Sequence, residues 1–164
     1  MDTETRTFRI ENTKILVGRP DGSIQIFDKD EGLIRTIKGQ YEKLIFTEKH
    51  RKTLVENFLL ANPGKNSSYN RWKNMLEFPT HFPPIQSFQT SDQKVYVLTH
   101  KRENRLGECF VYDLSGKLIK HAVIPIFDFS PKDPYPLVFY KGKLYQVCEN
   151  EDTEEWELHI TAIF

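Results

Sequence analysis

The sequence predicts an all-β fold made of three antiparallel units, with four, four and three strands, and a helical insertion between the first and the second. Three observations carry this expectation. Stretches that open on Lys14, Lys94 and Lys143 share one pattern: Lys-Ile-Leu-Val, Lys-Val-Tyr-Val and Lys-Leu-Tyr-Gln-Val. A second pattern, Gly-Ser-Ile-Gln-Ile-Phe-Asp at 22–28, returns as Gly-Glu-Cys-Phe-Val-Tyr-Asp at 107–113. Between the first two units the periodicity changes from strand-like to helical. Short antiparallel strands that recur about every 40–50 residues suggest propeller blades, so the chain reads as a β-propeller fragment of about three blades.

The first unit spans about 7–38. Its strands are expected at 7–10, at 14–19, at 22–28 and at 33–37, with Asp30 and Gly32 in a tight turn that needs a positive φ. The second unit, about 85–125, repeats this order with strands at 85–89, 94–99, 107–113 and 118–123 and a turn at 114–116. The third, about 135–164, supplies 137–140, 143–148 and 156–163, with no fourth strand. In all three units the strand that opens on lysine has apolar residues at consecutive positions, which predicts that both of its faces are covered. Lys94 and Lys143 lie 49 residues apart but Lys14 and Lys94 lie 80 apart, which marks the insertion at about 47–84.

Within the insertion, Thr47 is placed to cap a helix over 48–61, whose Leu54, Phe58 and Ala61 share a face with Val55 and Leu59 beside them. Asn62, Pro63 and Gly64 end it. A second, shorter helix is expected over 67–76, with Tyr69, Trp72, Met75 and Leu76 on one face. Pro79, Pro83 and Pro84 keep 78–84 extended. The aromatic content predicts a helical cap packed over one face of the blades.

Composition mainly excludes. The 164 residues suit one domain. With 23 basic against 23 acidic side chains, the chain lacks the basic surface on which nucleic-acid affinity rests. No apolar run reaches the roughly 18 residues of a membrane span. Residues 2–6 lack the apolar stretch of a signal peptide. Two cysteines make neither a disulfide scaffold nor a full Cys zinc site. Cys109 occupies a buried strand position and Cys148 a strand end; a disulfide between them stays an open alternative.

Candidate ligand-facing residues come from the loops. The 101–107 segment is basic and the 149–157 segment holds six carboxylates, and both join the second and third strands of neighbouring units. They should therefore emerge on one side, which nominates Arg102, Arg105, Glu151 and Asp152. His100 closes its strand at the first of these loops, and His81 lies in the proline-rich segment facing the expected insertion surface, which makes it the first of the five histidines to consider for lining a pocket. The five histidines show no metal-ligand spacing. Asp28 and Asp113 recur in register, but their place at hairpin turns accounts for both through side-chain to backbone bonds. No catalytic residue and no cofactor is expected, and calcium is the one metal considered.

The alternation of Gly-x-Ile-x-Ile-Phe-Asp and Lys-[Ile/Val/Leu]-Tyr-Val patterns, with a helical insertion leading to Phe78-Pro79 and Phe82-Pro83, resembles bacterial six-bladed β-propeller proteins of the NHL and TolB-like type. The resemblance covers about 7–164 and implies a fold more than an activity. It implies a binding or scaffold module for a protein, peptide or glycan, or else part of a metal-dependent hydrolase or lyase. The expected inner strands carry almost no His, Asp, Glu or Asn, which leans against catalysis. Three units stand where six are expected, so the chain reads as the C-terminal half of a ring that pairs with the missing half or with another copy. The family resemblance further implies an exported or periplasmic parent protein.

Overall fold

The computed structural model describes residues 7–10, 14–127, 136–150 and 152–164. Three antiparallel sheets account for all the strands among them. The first is β1 (Thr7–Ile10), β2 (Lys14–Gly18), β3 (Ser23–Asp28) and β4 (Gly32–Lys38), paired in that order. Next come α1 (Glu48–Ala61), α2 (Asn66–Trp72) and a single 3-10 turn at Lys73–Met75. The second sheet is β5 (Ser87–Ser91), β6 (Lys94–Glu103), β7 (Leu106–Asp113) and β8 (Leu118–Pro125). The third holds β9 (Leu137–Tyr140), β10 (Lys143–Asn150) and β11 (Glu155–Ala162), with β10 in the middle.

Successive side chains of a strand point to opposite faces. In β6 the five residues from Val95 to Thr99 are all buried, so both faces of the middle sheet must be covered. The two cores show how. Val95, Val97, Phe110 and Tyr112 pack with Leu16, Ile24, Ile26 and Ile37 of the first sheet. Tyr96, Leu98, Cys109 and Val111 pack with Phe139, Leu144 and Ile163 on the third-sheet side. The sheets are therefore stacked face to face, with the second between the other two.

The stack is also aligned along the strands. The Gln89 carboxamide of β5 accepts from the Phe139 N–H at 3.0 Å and donates to the Leu137 carbonyl at 3.0 Å, as a neighbouring strand would. Two residues further along each strand, the Ser91 hydroxyl accepts from the Lys141 N–H. Hence β5 and β9 run side by side in the same direction. A Cβ on Gly18 of β2 would come within 2.8 Å of the Phe88 ring, so the close approach of the first two sheets at β5 depends on glycine there.

The outer sheets differ from the expectation that every lysine-led strand is covered twice. Leu16 is buried but Ile15 is exposed, and Leu144 is buried while Val147 is exposed. No described sheet lies against the second face of either one. The turns follow the sequence: Gly32 and Gly116 take positive φ values of 74° and 83° at the β3–β4 and β7–β8 turns.

The insertion forms both helices but not the packed cap. Thr47 caps α1 as expected: its hydroxyl accepts from the His50 N–H, while His50 Nδ1 accepts from the Thr47 N–H. Yet no residue of α1 is buried, and Leu54, Phe58 and Leu60 remain exposed. Apolar periodicity set the helix, but no described sheet covers its stripe.

Burial on both sides makes a prediction. Leu98→Ala, in the core between the second and third sheets, should lower the free energy of unfolding by about 2–5 kcal/mol. Leu118→Ala, on the exposed part of β8, should change it by no more than about 0.5 kcal/mol. Urea titration of the two variants reads the difference, and equal losses would contradict the stacked arrangement.

Candidate binding surface

Strand pairing sorts the connections between the two ends of the stack. Ser23 lies opposite Lys38, Ser87 opposite Leu98, Leu106 opposite Pro125 and Asn150 opposite Glu155. The β2–β3, β6–β7 and β10–β11 hairpins therefore share one end with the exit of β4, the entry to β5 and the exit of β8. The insertion starts and finishes at this end. Gly22 marks the join: at φ 83° it lies so close to Pro84 that a Cβ would approach to 2.6 Å.

A short antiparallel bridge closes the base of the insertion. Ile45 lies opposite His81, the Phe46 N–H donates to the Thr80 carbonyl and the Phe82 N–H donates to the Leu44 carbonyl, both at 2.9 Å. This pairing presents Phe46 and Phe82 to each other at 4.9 Å between ring centres. Phe82 also contacts the His50 ring at 4.9 Å and stacks on His100 at 4.8 Å. Phe78 stacks on Phe46, with the Arg51 guanidinium 4.6 Å above the Phe78 ring. A ladder of rings thus runs from His100 of β6 to the first turn of α1 and ties the insertion to the second sheet. A salt bridge of 2.6 Å between Lys101 and Glu42 reinforces it and raises the lysine pKa.

Several of the sequence-derived candidates meet here. His81 is exposed on the bridge, with Nδ1 3.0 Å from the Thr80 hydroxyl, and His100 is half-buried against Phe82. Arg102 follows the irregularity that interrupts β6–β7 pairing after Leu98. Its guanidinium donates to the Thr99 and Lys101 carbonyls and to the Gln86 side chain, so it pins the bulge and the entry to β5. Arg105 stands at the exposed tip of the β6–β7 hairpin at φ 65°, and its carbonyl accepts from the Ile126 N–H. Asp152 is in the β10–β11 hairpin, where its N–H donates to the Asn150 side chain. Glu151 lies outside the described residues. His81, His100 and Arg102 are thus brought to the insertion base, whereas Arg105 and Asp152 occupy two separate hairpin tips.

Two features lie outside the sequence-derived candidates. One is the ring ladder, whose partial signal was the repeated Phe-Pro. The other is a carboxylate held between two groups. Glu108, buried on β7, accepts from the Thr99 hydroxyl at 3.0 Å and lies 3.0 Å from His121 Nε2. The His121 ring stacks on Phe110 at 4.3 Å. Since the carboxylate sits between the hydroxyl and the imidazole, the histidine has no path to activate Thr99 as a nucleophile.

The remaining polar candidates have structural partners. Asp113 Oδ1 accepts from the Ser115 hydroxyl and from the Ser115 and Lys117 N–H groups, and Asp28 Oδ1 accepts from the Asp30 N–H. Both lie at turns on the opposite end of the stack. Among the described residues no three His, Cys, Asp or Glu gather as a metal-binding group. Both cysteines are free and buried; burial pushes the Cys109 thiol up to about 12 and raises that of Cys148. Among the described residues no helix is long and apolar enough to cross a membrane. No protein-family model matches the chain, and no curated protein matches it significantly.

Two predictions follow the geometry. Phe82→Ala removes three ring contacts, each worth about 0.5–1.5 kcal/mol. Proteolytic cleavage within 47–78 should accelerate by roughly tenfold or more, with the sheets left intact; an unchanged rate would show that something else anchors the insertion. For Asp113, the Ser115 hydroxyl and then the Lys117 N–H hold its carboxyl below the usual carboxylate range. Folding depresses this pKa, so the stabilisation is complete above the unfolded value of about 4 and is lost as pH falls through the folded value. The stability gap between the parent chain and Asp113→Ala should therefore be constant near neutrality and shrink in acid. Urea titrations at several pH values check this, and a gap that persists at the lowest pH would refute it.

Proposed function

We propose that this chain is a non-catalytic binding module of the six-bladed propeller type, which engages a protein, peptide or glycan through the end of the stack that carries the insertion. The observation that carries this reading is the gathering of the insertion, the exit of β8, the entry to β9 and three hairpins at that one end, around a doubly covered sheet. Connecting loops on a rigid scaffold are where recognition usually resides. The exposed His81, Arg105 and Asp152 supply hydrogen-bonding and charged groups on three different segments of one surface. Balanced overall charge favours such partners over nucleic acid.

The blade reading rests on the repeated Gly-x-Ile-x-Ile-Phe-Asp and lysine-led patterns, and on neighbouring first strands that run in the same direction. A hydrolase or lyase of the same class would need acids and imidazoles converging on one point. Here the candidates are distributed along a rim, and the contact of buried Glu108 with the half-exposed His121 has the wrong order for nucleophile activation.

Selection of a random peptide library and a glycan array against the immobilised chain tests the proposal. Binders should lose about tenfold in affinity with His81→Ala or Arg105→Ala, and nothing with Leu118→Ala, which lies away from this end. Binders equally insensitive to all three would overturn the assignment of the surface. Turnover of lactone or ester substrates in the presence of calcium would replace it with the hydrolase reading.

A further inference from the structure

The three sheets repeat not only a strand pattern but a stacking polarity. In the second sheet, Val95 faces the first sheet and Tyr96 faces the third. In the first, Leu16 faces the second sheet and the preceding Ile15 points away. In the third, Leu144 faces the second sheet, and strand alternation sends Tyr145 the other way. Ile15, Val95 and Leu144 are thus equivalent, each one residue after the lysine, and so are Leu16, Tyr96 and Tyr145, each two residues after it. Both internal contacts join the Leu16/Tyr96 type of face to the Val95/Leu144 type. One face of each type is left over, the Tyr145 face of the third sheet and the Ile15 face of the first.

We propose that these two faces meet between copies, so that the third sheet of one chain stacks on the first sheet of a second and two chains close into a head-to-tail dimer. The leftover faces are apolar. On the third sheet Leu158 is 59% exposed and Ile160 54%, with Val138, Tyr140 and Val147 beside them. On the first sheet Leu33 is 51% exposed and Ile15 39%, opposite Phe27. Exposed apolar side chains gathered on one sheet face in this way mark an interaction site. The type of contact is already established twice within the chain, and each instance buries a cluster of nine residues. A closed pair makes the same contact twice more. Closure also leaves neither face free to propagate a filament. These faces lie on the flanks of the stack, and the test below reads them without any ligand.

Light scattering on the purified chain should give twice the 19.4 kDa chain mass. Leu158→Glu and Ile15→Glu, at exposed positions on the two faces, should each give a monomer. Mixing them should restore a two-chain species, since the intact third sheet of Ile15→Glu can stack on the intact first sheet of Leu158→Glu. Ile160→Glu and Leu33→Glu repeat the test if either first choice loses its β-sheet circular dichroism. A parent chain that stays monomeric at high concentration overturns the proposal. So does a dimer broken by only one of the two variants, which would mean that one face pairs with itself. Failure of the mixture to re-form a dimer, or an open polymer of the parent chain, overturns it as well.

Discussion

The structure depends on the burial of both faces of its middle sheet. Because strand side chains alternate, five consecutive buried residues in β6 cannot be satisfied by one packing partner. The first and third sheets are the two covers, and everything else is arranged around that requirement. Each cover needs one apolar face only. Its other face is therefore left without a described neighbour, although its sequence is nearly as apolar. The double burial thus explains both the covered centre and the bareness of the flanks.

Close stacking brings polar groups inside, where an unmet hydrogen bond is costly. Carboxamides solve part of this. Gln89 ties β5 to β9 as a piece of strand would, and Gln146, buried on β10, accepts from the Phe127 N–H at 2.9 Å where the chain crosses between sheets. Glu108 is met by Thr99 and His121. Two of these three groups lie toward the end that carries the insertion, beside the interruption in β6. Regular pairing gives way there, and Arg102 holds the displaced backbone. The same end can consequently be irregular at its surface and anchored beneath it.

What the sequence made legible was whatever repeats locally. The lysine-led strands, the Asp and Gly of the turns, the Thr47 cap and the end of α1 at Asn62 each depend on a few neighbouring residues. What escaped it depends on distant ones. Consecutive apolar residues after Lys14 and Lys143 look the same as those after Lys94, and only the position of a sheet in the stack decides which is covered twice. The stripe of Leu54 and Phe58 likewise signals a helix but not the presence of a partner for it. His50, Phe82 and His100 come together only once the Ile45–His81 bridge has formed. No spacing in the sequence announces that meeting, nor the one between Glu108 and His121.

The stacking polarity and the proposed binding surface constrain each other. Neighbouring sheets within the chain point their insertion ends the same way, as the parallel run of β5 and β9 shows. A head-to-tail contact that repeats the internal one preserves that direction, so both copies present their hairpins and insertions on one side of the pair. Two sets of His81, Arg105 and Asp152 would then share a rim. A ligand with two recognised segments would meet the second set at high effective concentration, gaining avidity with no new contact. The arrangement of bare flanks therefore bears on recognition even though no flank residue touches the ligand.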